Sequence, residues 1–144
     1  MSTPAVEMRR ASYGIYRDTD LTYEQAVARV TEELKKEGFG VLTEIDVRET
    51  LQKKLGAEFP RYVILGACNP PFAHRALTAE PDIGLLLPCN IVVLERPGGR
   101  ATVSALKPTE VFGKLVDNPA LGTLAQEVEE RIVRALDRVA AAGT

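Results

Sequence analysis

Residues 62–95, YVILGACNPPFAHRALTAEPDIGLLLPCNIVVLE, decide the fold of this chain. The stretch opens and closes with apolar runs, at residues 62–67 and 91–95, that predict two central β-strands. Between them, prolines and short apolar segments predict a crossover of brief helical turns. We expect the two strands to be antiparallel neighbours, which would bring Cys68 and Cys89 to adjoining strand ends. A parallel arrangement would instead separate them by about 20 Å.

The flanking sequence predicts the rest of an α+β domain. A first strand is expected at residues 11–17, followed by a turn at 18–20. A helix begins at Thr22, where Thr22 and Gln25 have capping-box spacing, and stops at Gly38. A strand with one buried face is expected at residues 41–48, and a helical turn pinned by Leu51 and Leu55 at 49–55.

Further elements complete the predicted sheet and its cover. A helix is expected at 72–79, a turn at 81–85, a hairpin at 91–95 and 101–106, and a helical turn at 109–115. A long amphipathic helix follows Asn118-Pro119. We therefore predict a single, mostly antiparallel five-stranded sheet with two long helices on one face, in one domain at 11–144 after a loose arm at 1–10.

Composition excludes several classes of function. The 144 residues carry 18 Lys and Arg against 20 Asp and Glu, with no Trp, so neither a basic patch nor a stacking platform for nucleic acid is expected. No apolar run approaches the ~20 residues that a bilayer span needs. The N-terminus has no secretory pattern, so we expect a cytoplasmic protein without a disulfide framework.

Polar side chains inside the apolar stretch predict a pocket between the sheet and the crossover. The candidate ligand-binding residues are Cys68, Asn69, His74, Cys89 and Asn90. Pockets for small molecules are mostly apolar with a few polar groups. The expected ligand is accordingly a small apolar molecule.

The same side chains raise the alternative of thiol or metal chemistry. Cys68, His74, Glu80 and Cys89 are of the types that hold a soft metal ion, although the C-x20-C spacing with one His is not a zinc pattern. No cofactor is predicted, and a metal ion is the one addition that these residues could hold. Cysteine is also a common small core residue, so a purely packing role stays open. No phosphate-binding loop or G-x-S-x-G motif is present.

Three consecutive leucines, at positions 85–87, cannot all face one core from one regular element. Exposed apolar side chains in a group mark interfaces. We therefore predict that the protein is a homodimer.

Several motifs together resemble the domain of unknown function 302 family. They are Gly66-Ala-Cys-Asn-Pro70, Ala76-Leu77 with Glu80-Pro81, and the run from Ile83 to Asn90, IGLLLPCN. The resemblance implies a compact, dimeric α+β domain with a β-α-β4-α plan similar to TATA-binding-protein-like folds. It marks Cys68 and Cys89 as motif members and implies no activity, and a shared fold does not by itself carry DNA binding. A small-molecule-binding domain is thus the leading hypothesis, with thiol or metal chemistry and a structural interaction domain as alternatives.

Overall fold

The computed structural model describes residues 3–142. Residues 1–2 of the predicted arm (1–10) and residues 143–144 of the predicted domain (11–144) lie outside the described residues. Five strands form one sheet: β1 Gly14–Thr22, β2 Gly40–Asp46, β3 Tyr62–Cys68, β4 Cys89–Glu95 and β5 Arg100–Leu106. The helices are α1 Tyr23–Lys36, α2 Val47–Leu55, α3 Pro70–Ala79, α4 Pro108–Val111 and α5 Pro119–Ala141, with a 3₁₀ turn at Pro81–Leu86.

The sheet has the order β1-β5-β4-β3-β2, and each neighbouring pair is antiparallel. The strands β3 and β4 are therefore central, and the predicted β4–β5 hairpin is present. The prediction of an α+β fold with a five-stranded antiparallel sheet is confirmed. The order also leaves β1 and β2 as the two edges.

The two long helices pack on one face of this sheet. Helix α1 begins as predicted, because the Thr22 hydroxyl accepts from the Gln25 N–H at 3.2 Å and the Gln25 side chain accepts from the Thr22 N–H at 3.0 Å. The apolar stripes of α1 and α5 pack against every second residue of the strands, because alternate side chains of a strand point to the same face of the sheet. Fully or nearly fully buried members of this core are Ala26, Val30, Leu34, Val63, Val93, Val103, Ile132, Leu136 and Val139.

The first strand is longer than predicted, and the predicted turn at residues 18–20 is wrong. Asp18 pairs with Thr102 in the β1–β5 ladder, and its carboxylate accepts from the Thr102 hydroxyl at 2.8 Å. Arg96 also lies 3.2 Å from this carboxylate. These bonds keep residues 18–20 in the sheet although their sequence favours a turn. The β1–β5 pairing shifts its register between Asp18 and Thr22, as at a β-bulge.

The prediction of a buried face on the second strand is also wrong. As an edge strand, β2 exposes Leu42 by 68% and Ile45 by 49%, and a register shift between Val41 and Thr43 interrupts its alternation. The strand ends at Asp46, whose side chain accepts from the Glu49 N–H at 2.9 Å and starts α2. Leu55 on α2 is 73% exposed, so it does not pin this helix to the core.

The other predicted bounds move by a few residues. Helix α3 begins at Pro70 because Asn69 caps it, and β4 begins at Cys89, two residues before the predicted start. The helical turn predicted at 109–115 is the short α4, Pro108–Val111.

Candidate functional site

The two cysteines lie at adjoining ends of β3 and β4. The ladder pairs Gly66 with Asn90 and Ala67 with Cys89, so the predicted antiparallel arrangement is confirmed. Successive side chains of a strand point to opposite faces, so Cys89 shares the helix-covered face with Ala67, whereas Cys68 belongs to the other face. Both cysteines are free thiols.

A cavity of about 290 Å³ lies at this end of the sheet, under the crossover and against α5. Cys68, Asn69 and Cys89 line it, and Asn69 contributes the only amide or charged group among the described lining residues. The remaining surface is apolar and includes Phe72, Ala76, Ile83, Phe112, Leu124 and Val128. A surface of this kind favours an apolar ligand, because it offers almost nothing to replace the hydration of a polar one.

Asn69 holds the crossover in place. Its side-chain oxygen accepts from the Phe72 N–H at 3.4 Å and caps α3, and its amide nitrogen donates to the Glu37 carbonyl at 3.3 Å. The residue is 6% exposed. Both ends of the amide are therefore engaged within the fold, which ties the start of α3 to the end of α1.

The Phe72 ring forms a wall of the cavity and is held by two arginines. The guanidinium carbons of Arg75 and Arg131 lie 5.5 Å and 5.2 Å from its centroid, in cation–π range. Arg131 also donates to the Glu37 carbonyl at 3.2 Å, the same oxygen that Asn69 uses. The ring is thus positioned by groups outside the cavity.

An ionic cluster of two buried carboxylates and two partly exposed arginines fixes α1 against α5 beyond this wall. Arg138 donates to the carboxylates of Glu33 at 2.5 Å and Glu37 at 2.8 Å, and Arg134 donates to Glu37 at 3.0 Å. Hydrogen bonds from Arg138 and Lys36 hold the pKa of Glu33 below its usual range. Burial opposes ionisation of Glu37, but bonds from Arg134 and Arg138 keep its pKa low as well. Both carboxylates are therefore ionised at neutral pH.

The chemistry of the two thiols differs. Burial, with a smaller contribution from the neighbouring Cys68, raises the pKa of Cys89 to about 11. Cys89 is 6% exposed and so contributes a protonated, apolar surface to the cavity. Cys68 is half-buried.

The structure separates the predicted site residues. Cys68, Asn69 and Cys89 line the cavity, but His74 is exposed, because it lies two residues from both Phe72 and Ala76 on α3 and hence on the opposite side of the helix. Asn90 is also exposed and lines a different cavity, on the other face of the sheet.

The four residues considered for a metal ion do not form a ligand set. Within residues 3–142, no group of three or more His, Cys, Asp and Glu side chains is placed to hold one. Glu80 instead accepts from the side-chain amide of Asn118 at 3.2 Å, which ties the end of α3 to the start of α5.

Several lining residues were not predicted from the sequence. Ile83 comes from the 3₁₀ turn, Phe112 from the segment after α4, and Leu124 and Val128 from α5. The apolar stripe of α5 was visible as a pattern, but its place over the crossover depends on contacts distant in sequence. The part of the chain that the structure describes contains no helix both long and apolar enough to cross a membrane.

Comparison with known proteins relates this architecture to one family. The family model described as "Domain of unknown function DUF302" matches residues 15–139. A crystal structure of a conserved DUF302 protein from Bacillus stearothermophilus is similar, with 37% identity and a TM-score of 0.82 over 89% of this chain and 98% of that one. No curated protein gives a significant match.

Proposed function

The chain belongs to the DUF302 family, and we propose that it is a binding domain for a small apolar molecule held in the cavity beside Cys68 and Cys89. The observation that carries this proposal is the apolar lining of a cavity of about 290 Å³. Its volume is near the lower end of the ~300–1,000 Å³ range of ligand pockets. The ligand is accordingly compact, such as a mono- or bicyclic aromatic or a short hydrocarbon.

The charge of the surroundings supports a neutral ligand. No charged side chain lines the cavity among the described residues. The two arginines on the Phe72 ring already have partners, since Arg131 donates to the Glu37 carbonyl and Arg75 pairs with Glu127 at 3.4 Å. Binding would then come from apolar area removed from water, at roughly 25 cal/mol per Å².

We further propose a homodimer in the cytoplasm. Leu85 is 89% exposed, whereas Leu86 and Leu87 pack against the core. Leu77 borders the cavity, is 41% exposed and lies beside Gly84, next to Leu85 in the chain. A second copy that covers these leucines would remove an apolar group from water beside the cavity.

The other two functions have less support. Thiol chemistry needs a thiolate, and Cys89 is held protonated by its burial, so Cys68 would have to act alone. A purely structural interaction domain has no need for a cavity of this size, because unfilled apolar cavities destabilise a fold.

Thermal unfolding in the presence of toluene tests the proposal. A ligand that binds only the folded state raises the melting temperature. Ala73→Leu replaces a methyl group by an isobutyl group at a half-buried, cavity-lining position of α3, whereas Ala28→Leu makes the same change on the exposed side of α1. Toluene should stabilise the wild type and Ala28→Leu but not Ala73→Leu. Equal stabilisation of both variants, or none of the wild type, would refute the proposal.

A further inference from the structure

The residues that line the apolar cavity differ in their exposure to water, and this difference locates its entrance. Every lining residue that comes from α5 is at most 8% exposed. Among the described lining residues, two are exposed, Leu42 of β2 by 68% and Leu77 of α3 by 41%. The cavity therefore opens between the β2 edge of the sheet and α3, and it is closed where α5 covers it.

A break in the strand pairing turns Leu42 toward this entrance. Val41 pairs with Ala67 and Thr43 pairs with Gly66, so β2 advances by two residues where β3 advances by one, and Leu42 is the extra residue. A bulge of this kind sets two residues against one and re-aims a side chain. Regular alternation would point Leu42 away from the face of Ala67, yet both residues line the cavity. The bulge thus brings an exposed leucine to the entrance.

The interior of the cavity has no hydrogen-bonding group to spare. Asn69 carries the only amide among the described lining residues, and both ends of this amide are bonded within the fold. Cys89 presents a protonated thiol, which is a weak donor. Within residues 3–142, no buried side-chain nitrogen or oxygen lacks a partner. A polar group of a ligand would lose its hydration inside the cavity without replacement, but it would keep that hydration at the entrance.

We propose that the entrance between Leu42 and Leu77 admits neutral amphiphiles with one polar end, such as medium-chain alcohols. The apolar chain lies inside the cavity, and the polar group stays in the water outside. This inference rests on the proposed function, because it concerns the same cavity. The two leucines contact the outer methylenes of the chain, and its far end reaches the α5 wall at Leu124 and Val128. A molecule with a polar group at each end is excluded, because one of these groups would have to enter the apolar interior.

The test is a titration of the full chain with n-octanol, followed by NMR. Intermolecular nuclear Overhauser effects should join the methylene beside the hydroxyl to the methyl groups of Leu42 and Leu77, and the terminal methyl to Leu124 and Val128. The α,ω-diol of the same length should bind roughly 10–100-fold more weakly, because its second hydroxyl would be buried without a partner. The reverse orientation, or a diol that binds as tightly as n-octanol, would overturn the proposal.

Truncation of the two leucines tests the entrance itself. Leu42→Ala and Leu77→Ala should each weaken n-octanol binding by roughly 3–10-fold, because each removes apolar surface that covers the outer part of the chain. Leu42 is the more exposed, so Leu42→Ala keeps the test decisive if Leu77→Ala does not fold. Ile45→Ala, at an exposed residue of β2 outside the cavity, should leave the affinity unchanged, and so should Leu85→Asp, which removes the proposed dimer contact. Equal losses in these controls, or no loss in Leu42→Ala, would refute the entrance.

Toluene distinguishes a failure of this inference from a failure of the proposed function. It has no polar end and should lie wholly inside the cavity, so its affinity should be the same in the wild type and Leu42→Ala. If toluene raises the melting temperature while n-octanol does not bind in the stated orientation, the entrance is wrong and the apolar site stands. If neither molecule binds, both proposals are wrong.

Discussion

Cys68 and Cys89 lie at adjoining ends of neighbouring antiparallel strands but belong to opposite faces of the sheet. Cys89, opposite Ala67, is buried in the apolar core, and Cys68 is half-buried. The cavity at the strand ends contacts both residues without making them equivalent. We therefore interpret the two cysteines as part of the apolar wall of the cavity and not as a centre in which two thiols react together.

The two thiols should differ in their reaction with iodoacetamide at neutral pH. Cys89 is buried, and its pKa of about 11 leaves almost no thiolate, so it should stay unmodified in the folded protein. Mass spectrometry of the folded Cys68→Ala variant isolates Cys89, and the same variant in denaturant should react fully. Rapid modification of Cys89 in the folded state would contradict this assignment.

The Glu33–Arg138 pair should stabilise the protein in a pH-dependent way. The folded-state pKa of Glu33 lies below its usual value of 4.5, so the contribution is complete above that pH and is lost as the pH falls through the folded-state value. Arg138→Met should lower the unfolding free energy by about 1–3 kcal/mol at neutral pH, because it leaves the buried Glu33 carboxylate with fewer partners while solvent screens the partly exposed guanidinium.

Denaturant unfolding at several pH values measures this effect. The difference between wild type and Arg138→Met should narrow as the pH drops below 4.5. Arg100→Met, at an exposed position of β5, is the matched control and should stay within about 0.5 kcal/mol of wild type. A loss that is the same at every pH would show that the stem of Arg138, and not its charge, is what stabilises the fold.

Gly66 should not tolerate a side chain. A Cβ at this position would lie 2.7 Å from Pro88 Cγ and would also collide with the Thr43 hydroxyl. Gly66→Ala should therefore cost about 1–3 kcal/mol of unfolding free energy, as overpacking of a buried site does. Gly40→Ala, at the β2 edge on the same face, meets nothing within 4 Å and should be nearly neutral. Equal effects of the two variants would argue against close packing of Pro88 on β3.

The proposed dimer should depend on Leu85. Light scattering at micromolar concentration should give twice the chain mass of 15.7 kDa for the wild type and the single-chain mass for Leu85→Asp, because a buried carboxylate opposes the contact. Leu115→Asp, at another leucine that is 73% exposed, should remain dimeric. A wild type with the mass of one chain would exclude the dimer at that concentration.

The elements with strong local patterns were predictable from the sequence. The cap at Thr22, the Asn118-Pro119 start of α5 and the apolar runs of β3 and β4 each fix an element from neighbouring residues. The edge strands were less predictable. Asp18 and Asp46 have similar local preferences, but Asp18 is drawn into the sheet by Thr102, whereas Asp46 caps a helix.

The candidate site was predictable only in part, for a geometric reason. The motif located the crossover and three residues that line its cavity, Cys68, Asn69 and Cys89. It could not show that Asn90 lines a cavity on the opposite face, because that depends on the register of β4 against β3. Nor could it identify the α5 residues Leu124 and Val128, which close the cavity from a distant part of the chain.

The most direct test of the central claim is a measurement of intermolecular nuclear Overhauser effects between bound toluene and the methyl groups of the protein. Ile83 lines the apolar cavity from the crossover, and Leu124 and Val128 line it from α5. If the cavity holds small apolar ligands, toluene protons should show effects to the methyl groups of these three residues. Effects only to exposed leucines such as Leu55 and Leu85, or none at all, would contradict the account.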